Sequence, residues 1–170
     1  MGIVFVSSLI ACHICFGVLK SVSYEKFVYA YRYANSEISK DDYLLAVLPE
    51  YDFIKRINSQ AAENECVYLL YTSNAFYYYK PCLRSGGYQS GRELIQEIKS
   101  AQSYEDLYNF FVSHDIKFLF ANVPRTQKIF QSNLTKDELA LWSLFAKDFL
   151  KLEFAQNNYG FWKLILPEQK

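Results

Sequence analysis

The runs CVYLLYT (residues 66–72) and IKFLFANV (residues 116–123) are short, β-rich and apolar almost throughout. A run of that length with no apolar–polar alternation reads as a buried strand. Between them lie two helical segments. GRELIQEIKSA places Leu94, Ile95 and Ile98 on one face. SYEDLYNFFVSHD opens with Ser103 and Asp106 three residues on, a start signal, and buries Leu107, Phe110 and Phe111. Strands alternating with helices argue for an α/β layer with parallel pairs. The expected fold class is α/β. One N-terminal transmembrane helix is followed by a small three-layer, Rossmann-like domain that ends in a β-hairpin.

The remaining segments fit around that layer. SKDDYLLAVLPEYDFIKRINSQAAE reads as two short helices joined at a bend, the first capped by Ser39 with Asp42 and the second opened by Pro49. In NLTKDELALWSLFAKDFL, Thr135 and Glu138 form a capping box, and Leu139, Trp142, Phe145 and Phe149 make an apolar stripe. The cap accounts for Thr135 better than the glycosylation sequon NLT does. KLEFAQNNYGFWKLIL reads as a hairpin with Asn157 and Asn158 in the turn. The tyrosine run of FYYYKPCLRSGGYQSGRE can be a strand or a short helix stopped by Pro81.

Upstream, IVFVSSLIACHICFGVL (residues 3–19) holds no charged residue. Residues 1–19 approach the ~20 that a helix needs to cross a hydrocarbon core. The expected organisation is a transmembrane helix over residues 1–22, a Tyr-rich connector at the membrane–water interface over 23–38, and the α/β domain over 39–170. A secretory signal needs a basic start and a small-residue cleavage site, and neither is present. LIAC resembles a lipoprotein box, but the residues after Cys12 stay apolar. MGIVFV has Val6 where N-myristoylation wants Ser or Thr. Lys20, Lys26 and Arg32 follow the span and nothing charged precedes it, which taken alone places the domain in the cytoplasm.

Charge and chemistry exclude several functions. Eighteen basic and eighteen acidic residues cancel, so there is no basic excess for nucleic acid. Hydrophobic residues at 51% and aromatics at 18% suit a real core and argue against disorder. The only histidines are His13, in the apolar run, and His114, at a turn. No G-x-S-x-G, H-E-x-x-H or EF-hand spacing occurs, and the carboxylates gather at helix starts. No catalytic residue, metal or cofactor is expected. CHIC inside an apolar helix reads as small buried thiols rather than a metal site. Cys66 and Cys82 can pair in an oxidising compartment, but their spacing does not decide it. GGYQSG is neither a dinucleotide nor a Walker A loop, though a helix start behind it permits weak anion binding.

The order of segments resembles the C-terminal end of bacterial GT-C membrane glycosyltransferases of the protein-mannosyltransferase-like class. The likeness is carried by Tyr43-Leu44, Tyr51, Ile57-Asn58 and the strand at Val67 to Leu70, then AFYYYKP, then SHDIKFLFANV, then GFWKLIL. It covers roughly residues 3–166, with His114-Asp115 where the family usually has Gly. The resemblance implies an accessory extracytoplasmic domain of an enzyme that uses polyprenyl-phosphate sugars. That family's catalytic carboxylate lies in an N-terminal loop with no counterpart here. It also implies, as partners, the bilayer and the remainder of a multi-pass glycosyltransferase or a partner membrane protein. Tyr77, Tyr78, Lys80 and Arg84 are the expected ligand-binding residues, because aromatic faces suit sugar rings and cations suit a phosphate. The alternative is a membrane-anchored, non-enzymatic binding module working with a partner membrane protein.

Overall fold

The computed structural model describes residues 24–48, 50–72, 79–84 and 88–165. They divide into two compact units, with the boundary between Asp52 and Phe53. Among the described residues no helix is long and apolar enough to cross a membrane. The span expected over residues 1–22 lies outside them.

In the first unit most of the expected connector is helical. Tyr24–Ala34 forms helix α1, and Lys40–Val47 forms α2. Ser36 turns between them at φ 59°. Ser39 caps α2 in a capping box with Asp42, as its sequence predicts. Tyr33 and Tyr43 stack at 5.0 Å across the pair. Helix α3, Tyr51–Gln60, starts at Tyr51 and crosses the boundary into the second unit. Pro49 lies outside the described residues.

The second unit carries a five-stranded mixed sheet. Strands β1 (Cys66–Leu70), β2 (Cys82–Arg84) and β3 (Ile116–Asn122) are parallel neighbours. Strands β4 (Leu150–Gln156) and β5 (Tyr159–Leu164) close the sheet antiparallel, in the order β2-β1-β3-β5-β4. Helices α4 (Tyr88–Ser100) and α5 (Tyr104–Ser113) connect β2 to β3, and α6 (Val123–Asn133) and α7 (Lys136–Phe149) connect β3 to β4. The α/β class and the closing hairpin are as expected. Asn157 and Asn158 take φ values of 48° and 70°, the two left-handed positions that a tight hairpin turn demands. The order differs from the six-stranded, all-parallel Rossmann sheet, because the last two strands return as a hairpin.

Three layers follow from the strand alternation. Tyr68 and Leu70 of β1, with Leu119 and Ala121 of β3, face Leu94, Ile98, Leu107, Phe111, Phe130 and Phe145 of the four long helices. Val67, Leu69, Phe118 and Phe120 face the other way, against Phe53 and Ile57 of α3. All five residues of β1 are therefore buried, which is why the run shows no period of two. The capping boxes at Ser103–Asp106 and Thr135–Glu138 are both formed. Hydrogen bonds from the cap backbone lower the pKa values of Asp106 and Glu138. Helix α6 has no counterpart in the sequence reading. Asn122 caps it, and Pro124 occupies its first turn, where no backbone N–H is needed.

A disulfide joins Cys66 to Cys82. The two residues stand opposite each other in the β1–β2 register, so the strand pairing itself brings the thiols together.

Candidate functional site

The carboxyl ends of the parallel strands hold the most unusual local chemistry among the described residues. β2 lies on one side of β1 and β3 on the other. The chain leaves β1 toward β2 and returns past it to β3. In open α/β sheets this switch in direction leaves a crevice outside the carboxyl ends, where ligands bind.

Tyr71 follows β1 at φ 53°, a left-handed conformation that costs on the order of 1 kcal/mol for a residue with a side chain. The turn breaks the alternation of β1. Leu70 and Tyr71 both join the four-helix face instead of pointing to opposite faces. The phenol of Tyr71 lies directly over Gly91, and any Cβ at that position would collide with it. This explains one glycine of GGYQSG: α4 begins at Tyr88, and Gly91 lets a ring approach its first turn. Residues 85–87 lie outside the described residues. The Arg125 guanidinium stands 5.9 Å from the Tyr71 ring centroid, within cation–π range.

Thr72 is buried, and among the described residues its hydroxyl has no hydrogen-bond partner. An unsatisfied buried hydroxyl costs about 1–3 kcal/mol. Thr72→Val keeps the shape and removes that cost, so it is expected to raise the urea midpoint by an amount equivalent to about 1 kcal/mol. A lower midpoint would mean that the hydroxyl has a partner after all.

Tyr68, fully buried, donates to Glu93 Oε2 at 3.2 Å. Burial first, and the Glu93 carboxylate second, hold this phenol well above its ordinary pKa of 10.0. The folded state therefore favours the neutral phenol. Its contribution is complete below about pH 10 and is lost as pH rises further, where the unfolded phenol ionises and the folded one does not. Urea midpoints at pH 9 and pH 11 are expected to fall further for the native chain than for Tyr68→Phe. An equal fall would remove Tyr68 as the cause.

The helix start at this edge is not an anion cradle. The Val123 N–H donates to the Asn158 carbonyl at 2.8 Å, Pro124 has no N–H, and the Arg125 N–H donates to Asn122 Oδ1 at 3.1 Å. The Thr126 hydroxyl donates to the Asn122 carbonyl at 2.7 Å. The donors that would meet a phosphate are spent inside the protein.

The residues expected to bind ligand are only partly described. Tyr77 and Tyr78 lie outside the described residues. The Lys80 backbone N–H donates to Asn58 Oδ1 at 2.8 Å, ahead of β2. Arg84 closes β2, opposite Tyr68 in register. Both side chains are exposed. Lys80 lies two residues before β2, and Arg84 is its last residue. His114 is a turn residue, as read from the sequence: its Nδ1 lies 2.8 Å from the Phe110 carbonyl and its ring packs on Phe110 at 4.7 Å. No cluster of His, Cys, Asp and Glu among the described residues can hold a metal. Tyr71, Thr72, Gly91 and Arg125 carried no sequence signal, since each matters only through a residue distant in the chain. The chain matches no family model, no curated protein and no solved structure.

Proposed function

We propose that the chain is an accessory, extracytoplasmic α/β domain of a GT-C-type, polyprenyl-phosphate-sugar-dependent membrane glycosyltransferase, tethered through its N-terminal apolar run. The observation that supports this reading most is the Cys66–Cys82 disulfide. Such bonds persist in oxidising compartments and are rare in the cytosol. It weighs against the cytoplasmic placement that the basic residues after residues 3–19 favour. Phe27 and Tyr31 lie one turn apart on α1, both exposed, with Lys26 and Arg32 beside them, the composition of a membrane–water interface. In this reading the domain packs over the membrane-embedded active site and shapes the acceptor or donor entrance, with Tyr77, Tyr78, Lys80 and Arg84 toward the glycosyl donor.

The test is purification from membranes followed by identification of what accompanies the chain. A multi-pass protein with an acidic first extracytoplasmic loop is the expected companion. In that assembly, Lys80→Ala with Arg84→Ala is expected to cut sugar transfer at least tenfold without changing thermal unfolding. Unchanged transfer would leave those cations no role. Transfer or hydrolysis of a polyprenyl-phosphate sugar by the purified chain alone would overturn the accessory role. A companion with no transferase activity would favour a binding module.

A further inference from the structure

The core on the four-helix face is not closed. Between β3, β5 and the helices α6 and α7 lies a cavity of about 180 Å³. Leu119 and Ala121 of β3 form its floor, and Val123, Trp142, Ala146 and Trp162 are among its walls. Protein interiors pack densely, and voids larger than a water molecule are few.

Its walls are braced. The Trp142 ring is held between Phe130, at 5.4 Å and 85°, and Phe145, at 5.3 Å and 38°. The Trp162 ring lies against Gly160, where a Cβ would strike the indole. A gap bordered by rings fixed in this way is not closed by a rotamer change. Its lining offers little to hold water in place, which needs two to four polar partners. Most of the lining is apolar, and the Thr126 hydroxyl is already spent on the Asn122 carbonyl. A volume of about 150 Å³ is enough to take up benzene, so this pocket, open to solvent on one side, has room for a six-membered ring with a small substituent.

We infer that the cavity is a binding site for a compact, uncharged hydrocarbon group, the size of a methyl-substituted six-membered ring, carried by a small molecule. The cavity lies wholly within the second unit and depends neither on the membrane span nor on the glycosyltransferase reading, so each can fail without the other.

The chain has two tryptophans, and both border the cavity. The full chain, labelled with 5-fluorotryptophan and held in lipid nanodiscs, therefore carries two ¹⁹F resonances, assigned with Trp142→Phe. Titration with toluene is expected to shift both resonances saturably. Ala146→Leu, which fills the space, is expected to weaken the apparent affinity at least tenfold. If Ala146→Leu does not fold, Ala121→Val serves the same purpose from the floor. The inference is overturned if neither resonance moves up to the aqueous solubility of toluene. It is equally overturned if the shift grows without saturation or is unchanged in a folded, cavity-filled variant, because toluene would then be reporting on the lipid alone.

Discussion

Phe53→Ala is expected to destabilise the second unit by about 3–5 kcal/mol, the range for deleting a buried aromatic side chain. Phe53 is 2% exposed. Its ring lies 5.0 Å from Phe120, 4.7 Å from Phe154 and 5.9 Å from Tyr159. On this face the buried core draws its helical residues from α3 and the residue just after it, so among the described residues no second helix stands ready to fill the space. The sheet beneath is held by its ladders and cannot collapse into the hole, which places the cost toward the upper end. The Arg56 guanidinium lies 3.8 Å from the Phe154 ring centroid and covers it from outside, but a cation cannot follow a ring into an apolar cavity without losing water. Urea unfolding is the measurement, read as a shift in midpoint at constant slope. A cost below about 1 kcal/mol, typical of a surface substitution, would mean that α3 does not pack on the sheet as described.

Cys82→Ser is expected to cost about 3 kcal/mol, the loop-closure value for a crosslink spanning roughly 15 residues; the separation here is 16. The stabilisation acts on the unfolded chain, which loses freedom when residues 66 and 82 are tied. In the folded state the β1–β2 ladder already holds them together. The melting temperature is expected to fall by on the order of 10 °C. The native chain with reductant is expected to match the variant, and reductant should leave the variant itself unchanged. Mass spectrometry should find Cys66 and Cys82 unreactive toward alkylation until reduction. If the native chain were indifferent to reductant, the crosslink would be absent in solution, and the main support for the extracytoplasmic placement would go with it.

The two effects test different parts of the molecule. The ring supports the face covered by α3, and the disulfide supports the edge where β2, three residues long, joins the sheet. A strand that short makes few ladder bonds, so a covalent tie matters more there than in the middle of the sheet.

The local elements were legible because short windows carry their causes. Ser39 with Asp42, Ser103 with Asp106 and Thr135 with Glu138 announce helix starts, and all three capping boxes form. Asn157-Asn158 announces a turn that needs two left-handed residues. The unbroken apolar character of CVYLLYT announces a strand with both faces covered. Other elements were less legible. Helix α6 was not read at all, although Pro124 costs nothing in its first turn and Asn122 supplies the cap. The segment read as an interfacial connector is helical over Tyr24–Ala34. Of the candidate site, Lys80 and Arg84 were named from composition; Lys80 precedes β2 and Arg84 ends it.

The sequence by itself determined the periodicities, the caps, the turn residues and the α/β alternation, because each rests on contacts within a few residues of chain. Tertiary structure decided the order β2-β1-β3-β5-β4, the joining of Cys66 to Cys82 and the left-handed turn at Tyr71 that lays its phenol over Gly91. It also decided the cavity between two tryptophans twenty residues apart in the chain. These features depend on which distant segments meet as the crossovers close, and packing and chain entropy over the whole domain settle that.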